Sequence, residues 1–341
     1  MKPEIYVFIL SSYLYRCFAI VGPITEDFVQ YLKEVEHTNS GLLRHVKSFD
    51  HTGSFGGKSF PQEKVKHSPI VFIHGNSDSA LKYGNDQYQS GWDTVVQYFM
   101  DRGYTLAELY GISYGDRNMT QSVFRVFNCQ DLLLHRQLLL SVLVYTGARH
   151  IDIIAHSMGV SIARAIIQGG KFTSEKESCD LGSDFSSLIG TFIAISSANY
   201  GMCSCEAGTA FPACDKEIGF FPGYCPRQNC SSPSIKIGAQ CYKTKYSKFL
   251  TKLNKVHKKE AEFIASIWSK DDEVFLKGNL VWGKQTSLVP GSNIWKEYPQ
   301  LTHMETKTET AADQFKIITS RSAPSAQTKK SYAKRKNWNF Y

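Results

Sequence analysis

Five consecutive residues, Ala155-His156-Ser157-Met158-Gly159, have the types and spacing for nucleophilic catalysis. A serine hydroxyl attacks a carbonyl well only when a base takes its proton and the oxygen stands exposed. Here the serine follows the apolar run His150-Ile151-Asp152-Ile153-Ile154. It precedes Val160-Ser161-Ile162-Ala163-Arg164-Ala165-Ile166-Ile167, which Gly169-Gly170 closes. The first run reads as a buried strand and the second as a helix. A serine at such a strand-to-helix turn describes a nucleophile elbow, where the residues two before and two after must be small. Ala155 and Gly159 meet that demand. An ordinary strand–loop–helix connection would also fit these five residues, so the rest of the constellation has to decide.

Hydrolases built on this elbow place the acid and then the base after the serine. Of the ten histidines, only His257 and His303 follow Ser157. His257 sits in Lys255-Val256-His257-Lys258-Lys259, a polar helix end, and reads as solvated. His303 sits in a loop after the expected strand near Ile294 and is the candidate base. His156 adjoins the serine but points away from it at a tight turn. The expected strand over 262–269 runs into Lys270-Asp271-Asp272-Glu273, which offers Asp272 as the acid, with Asp271 as the alternative. The oxyanion requires backbone donors. Pro69-Ile70-Val71-Phe72-Ile73 ends in His74-Gly75-Asn76, so the N–H groups of Asn76 and Met158 are the candidates, with His74 shaping the loop.

Strands are expected at 69–73, 105–110, 150–154, 188–196, 262–269 and near Ile294. Helical patterns fall at 91–101, 129–145, 157–168 and 246–256. Alternation of this kind predicts an α/β fold with a mostly parallel central sheet covered by helices on both faces, the α/β-hydrolase arrangement.

With these residues in view, the chain resembles the secreted class-2 lipases. That group is prominent among nematodes and related to small bacterial lipases with an Ala-His-Ser-x-Gly elbow. The matching stretches are Ser54-Phe55-Gly56-Gly57-Lys58, Phe72-Ile73-His74-Gly75-Asn76-Ser77-Asp78, Gly103-Tyr104-Thr105-Leu106-Ala107-Glu108-Leu109-Tyr110 and Ile153-Ile154-Ala155-His156-Ser157-Met158-Gly159. The likeness spans roughly residues 22–320. It implies Ser157 as nucleophile, His303 as base, Asp272 as acid, and the N–H groups of Asn76 and Met158 at the oxyanion. It also implies lipid or other carboxylic esters such as triacylglycerol as substrates; acyl transfer through a serine, acid and base requires no metal or organic cofactor. A short-chain carboxylesterase, a phospholipase or an inert binding module on the same fold stay open as alternatives.

Residues 1–22 read as a signal peptide, with an apolar core over 5–15 too short to span a bilayer. A retained anchor is the alternative. Of the nine cysteines, Cys17 would leave with the signal. Cys129, Cys179, Cys203, Cys205, Cys214, Cys225, Cys230 and Cys241 form an even set expected to make disulfides in an exported protein. The spacing lacks the paired Cys-x-x-Cys of a zinc site. Six of the eight crowd into a cap-like insertion over 199–241, within a catalytic domain over 23–320. The insertion reads either as a wall or lid over an acyl pocket or as a stapled surface loop. Asn118 and Asn229 begin glycosylation sequons. Residues 321–341 form a basic tail expected to be disordered, either touching anionic lipid surfaces transiently or simply solvated. The net charge of +8 comes without a recognition motif, which argues against nucleic acid. The chain is expected to act extracellularly as a monomer.

Overall fold

The computed structural model describes residues 22–35, 53–206, 210–225, 229–232, 245–255, 258–275 and 277–322. Its helices are α1 Glu26–Val35, α2 Asp93–Met100, α3 Cys129–Thr146, α4 Met158–Gln168, α5 Lys248–Asn254, α6 Glu305–Thr308 and α7 Ala311–Ser320. Its strands are β1 Ser54–Phe55, β2 Ile70–Ile73, β3 Leu109–Ile112, β4 Ile151–His156, β5 Lys171–Thr173, β6 Ser178–Asp180, β7 Ile189–Ile195, β8 Phe263–Ser269, β9 Leu280–Val281, β10 Lys284–Gln285 and β11 Ile294–Tyr298. Seven strands form the central sheet in the order β1-β3-β2-β4-β7-β8-β11. Only β1 runs antiparallel, against β3; the other neighbours pair in parallel.

Every residue of β2, β4 and β7 is buried, because a sheet wrapped on both faces has no solvent side. Successive side chains in a strand point to opposite faces, and the core divides accordingly. Val71, Ile73, Ile153 and Ala155 pack with Leu132, Leu139 and Val142 of α3 and with Val160 and Ile167 of α4. Ile70, Phe72, Ile154 and Ile193 pack on the other face with Val95, Val96 and Phe99 of α2 and Ile317 of α7. Helix α3 starts where the Asn128 side chain accepts the Asp131 N–H at 2.8 Å, satisfying one of the otherwise unpaired donors of the first turn. It stops at Gly147, whose φ of 65° suits glycine.

The expected elements recur with one shift. The strand expected over 105–110 begins only at Leu109, because Thr105 and Glu108 close a turn. The Glu108 N–H donates to Thr105 O at 3.0 Å. The Glu108 carboxylate accepts the N–H groups of Thr105 at 3.1 Å, Lys66 at 2.5 Å and His67 at 3.0 Å. A buried acid that gathers backbone donors in this way ends the extended run. At the other end, Arg321 does not begin a tail: it closes α7 and pairs with Glu262 at 2.8 Å. Of the expected signal peptide over 1–22 and the expected tail over 321–341, residues 1–21 and 323–341 lie outside the described residues, as do His257 and Cys241. Disulfides join Cys129 to Cys179, Cys203 to Cys230 and Cys205 to Cys214, and Cys225 is also disulfide-bonded. The first ties the start of α3 to the β5–β6 hairpin; the other two staple the insertion. No helix among the described residues is long and apolar enough to cross a membrane.

Asp152 is a charged type inside β4. Its Oδ1 accepts the Thr191 N–H at 2.6 Å, and burial pushes its carboxyl up to about 7 although that bond and Arg321 pull the other way. A folded-state value above the unfolded one means that the protonated side chain favours folding. Its contribution is therefore full below about pH 4 and is lost as pH rises toward 7. Asp152→Asn should accordingly gain stability over wild type progressively between pH 4 and 7, by on the order of a few kcal/mol at the top of that range. Thermal unfolding of both proteins across pH 4–8 checks this; a difference that does not change with pH would contradict it.

Candidate active site

Parallel strands open their loops at one edge of the sheet, the usual ligand edge of such folds. Four of those loops carry the candidate residues: Asn76 follows β2, Ser157 follows β4, Asp272 follows β8 and His303 follows β11.

The turn at Ser157 is strained, with φ 54° and ψ −125°, a region that costs a non-glycine residue about 1–3 kcal/mol. Neighbouring elements hold it in place. The Ser157 N–H donates to Ile195 O of β7 at 2.8 Å and Val160 N–H returns to Ser157 O at 3.0 Å. Between Ile151 and Ile167, Ser157 alone is not buried, so the turn lifts this one side chain into the cleft. The demand for small neighbours is geometric. A Cβ on Gly159 would lie 2.4 Å from His74 O and 2.6 Å from Ile73 O, and one on Gly75 would lie 2.9 Å from Ser157 Cβ.

The loop after β2 is fixed by side chains that leave the Asn76 N–H unused. His74 Nε2 accepts the Tyr114 N–H at 3.1 Å, so its Nδ1 carries the proton and donates to Gly75 O at 2.8 Å. Burial keeps this ring neutral, holding its pKa well below the ordinary histidine value. Asn76 Nδ2 donates to Ser122 O at 2.9 Å and its Oδ1 accepts from Arg125 Nε at 2.8 Å. The Asn76 N–H makes no hydrogen bond among the described residues. Met158 opens α4, so its N–H belongs to the first turn, where donors lack intrahelical partners and the helix dipole favours negative charge.

His303 Nδ1 meets Asp272 Oδ2 at 2.8 Å, with the two side chains 5% and 0% exposed. Asp272 Oδ1 accepts the Val274 N–H at 3.0 Å, which orients the carboxylate. Asp271 does not reach the imidazole; its Oδ2 accepts the Gln300 N–H at 2.8 Å and so steadies the approach to the His303 loop. Glu273, to which the sequence assigned no role, and His156, expected only to point away from Ser157, grip the His303 backbone. Glu273 Oε2 accepts its N–H at 2.8 Å, and His156 Nε2 donates to its C=O at 3.1 Å. His156 thus faces away from Ser157 and lies against the His303 ring, centroids 4.5 Å apart and planes tilted by 48°, buried and with its pKa held well below the ordinary value by desolvation. Adjacency to Ser157 and to Asp272 was the one sequence signal these two carried.

Ser157, His303, Asn76 and Met158 share a cavity of about 410 Å³, within the range of small-molecule sites. Phe275 and Phe220 are among its apolar walls. The stapled insertion forms part of that wall through Phe220, Cys205 and Cys214. Its root is anchored by Arg164 of α4, which pairs with Glu260 at 2.7 Å and donates to Asn199 Oδ1 at 2.9 Å.

Sheet order, elbow and helical cover define an α/β-hydrolase. The chain belongs to the class 2 lipase family, which it matches over residues 67–316, and is accordingly a lipase-like carboxylic ester hydrolase. Among solved structures, a Bacillus licheniformis lipase in propeptide form is 11% identical, covering 81% of this chain and 55% of its own, with a TM-score of 0.46. Aspergillus fumigatus lipase B is 12% identical, covering 78% and 55%, with a TM-score of 0.44. A Paleococcus ferrophilus monoacylglycerol lipase is 12% identical, covering 79% and 98%, with a TM-score of 0.41.

Strain at the elbow has a measurable consequence. Glycine tolerates the Ser157 backbone geometry and alanine does not, so Ser157→Gly should be more stable than Ser157→Ala by roughly 1 kcal/mol. Denaturant titration of the two variants checks this; a more stable alanine variant would contradict it.

Proposed function

We propose that this chain is a secreted serine lipase or esterase that hydrolyses carboxylic esters of lipids, such as triacylglycerol, through Ser157, His303 and Asp272. The observation that carries the reading is the buried 2.8 Å contact of His303 with Asp272 in a loop that shares one cavity with Ser157. In this mechanism Asp272 holds the His303 Nδ1–H tautomer and stabilises the imidazolium. His303 Nε2 takes the Ser157 proton, and Oγ attacks the ester carbonyl. The N–H groups of Asn76 and Met158 receive the oxyanion. His303 then protonates the leaving alcohol, and a water activated by the same ring clears the acyl-enzyme. The apolar walls suit an acyl chain, and the disulfides suit an oxidising compartment.

A fluorophosphonate probe should label the wild-type protein at Ser157 and leave a folded Ser157→Ala variant unlabelled. Asp272→Asn should lower kcat by about 10³–10⁴ through loss of the productive tautomer. A folded wild-type protein that resists the probe would contradict the reading. Rates on a series of p-nitrophenyl esters against emulsified triacylglycerol test the substrate: a steep preference for soluble acetate or butyrate esters would replace lipase with short-chain esterase.

A further inference from the structure

We propose that the buried ion pair between Asp78 and Lys307 is a positioning strut that sets the separation between the oxyanion loop and the His303 loop. The proposal rests on the reading above, in which Asn76 donates to the oxyanion and His303 is the base.

Lys307 Nζ donates to Asp78 Oδ2 at 2.5 Å across 229 residues of sequence, with side chains 0% and 1% exposed. Each partner sits close to a reacting element. Asp78 lies two residues beyond Asn76 and closes the same turn, its N–H directed to Gly75 O at 3.4 Å. Lys307 lies four residues beyond His303, one turn along α6, with its N–H on Met304 O at 3.0 Å. Among the described residues, this is the one side-chain hydrogen bond joining residues 74–80 to residues 301–308.

Both ends are anchored a second time, so the pair can transmit position. Asp78 Oδ1 accepts the Gly91 N–H at 3.1 Å. The Lys307 carbonyl accepts from Gln314 Nε2 at 2.7 Å, and its ammonium lies 5.1 Å above the centre of the Trp92 ring. Burial pulls the Lys307 ammonium below the ordinary lysine value, opposed by Asp78 and then by Asp93.

Stability alone does not explain a pair of this kind. Desolvating two charges offsets most of their attraction, and apolar residues of the same volume commonly hold a fold as well or better. A charged pair adds a fixed length and direction between its two backbones. Here that length runs from the loop that must present an N–H to the loop that must present an imidazole. The N–H must reach the carbonyl oxygen while the imidazole reaches the Ser157 hydroxyl that attacks the same carbon, and misplacement by about 1 Å can cost roughly a hundredfold in rate.

Asp78→Asn/Lys307→Met removes both charges while keeping the side-chain shapes, and Asp78→Glu keeps the charge but lengthens the strut by one methylene. The measurements are thermal unfolding, kcat and KM for p-nitrophenyl butyrate, and the rate of phosphonylation at Ser157. The double variant should unfold cooperatively and keep KM within about threefold, while kcat and phosphonylation fall together by roughly ten- to a hundredfold. Asp78→Glu should show a smaller fall in kcat, again with KM unchanged. Either variant folded with kcat within about threefold of wild type would reduce the pair to packing and overturn the proposal. If the double variant does not fold, Asp78→Glu decides alone. A wild-type protein that is not phosphonylated at Ser157 would remove the reading beneath the strut, whereas normal labelling with unaffected variants would remove only the strut.

Discussion

Close approach of the loop after β2 to the start of α4 is the constraint on which the rest depends. Gly159 lies so near the carbonyls of Ile73 and His74 that no side chain fits, and a Cβ on Gly75 would crowd Ser157 Cβ at 2.9 Å. That contact holds Ser157 in a backbone region it would not otherwise occupy. Asn76 and Met158, on either side of that contact, line the same cavity as Ser157. The sheet supplies the force: β4 is hydrogen-bonded between β2 and β7, and apolar layers on both faces resist any relaxation that would separate strand from helix. The strain at Ser157 is thus a product of close packing and not of one dedicated hydrogen bond.

A second feature is the way the loops hold one another. The residue before Ser157 takes the carbonyl of His303, and the residue after Asp272 takes its N–H. The imidazole is therefore located by its backbone from two sides before Asp272 orients its ring. His74 and His156, both buried and neutral, do structural work around the cleft, which leaves His303 as the histidine in the position of a base. The insertion adds a wall whose disulfides and buried Arg164–Glu260 root favour a preformed cavity over a large swinging lid.

Much of this was legible in the chain because the governing signals are local. The elbow needs small residues at fixed offsets, the strands are β-branched runs, and Asp272 and His303 fall after strand ends in the order that the elbow leads one to expect. Legibility failed where partners are distant. Asp78 and Lys307 are 229 residues apart, and His156 finds His303 across 147; nothing in either neighbourhood announces the other. The pairing of Cys205 with Cys214 inside the span of Cys203 and Cys230 is one of many equivalent patterns on paper. The strand expected from Thr105 begins only at Leu109, because the Glu108 carboxylate collects backbone donors from residues far away in sequence as well as from Thr105. The choice between Asp271 and Asp272 turns on which side chain faces the loop after β11, a matter of strand-end geometry that composition does not encode.

A structure of the protein inactivated by an alkyl p-nitrophenyl phosphonate would bear on all of this at once, since the adduct mimics the tetrahedral intermediate. The expected result is phosphorus bonded to Ser157 Oγ, its phosphoryl oxygen within about 3.1 Å of both the Asn76 and Met158 nitrogens, and His303 Nε2 facing the Ser157 oxygen. Phosphorus on another side chain, or a phosphoryl oxygen turned to solvent with those two N–H groups unengaged, would contradict it.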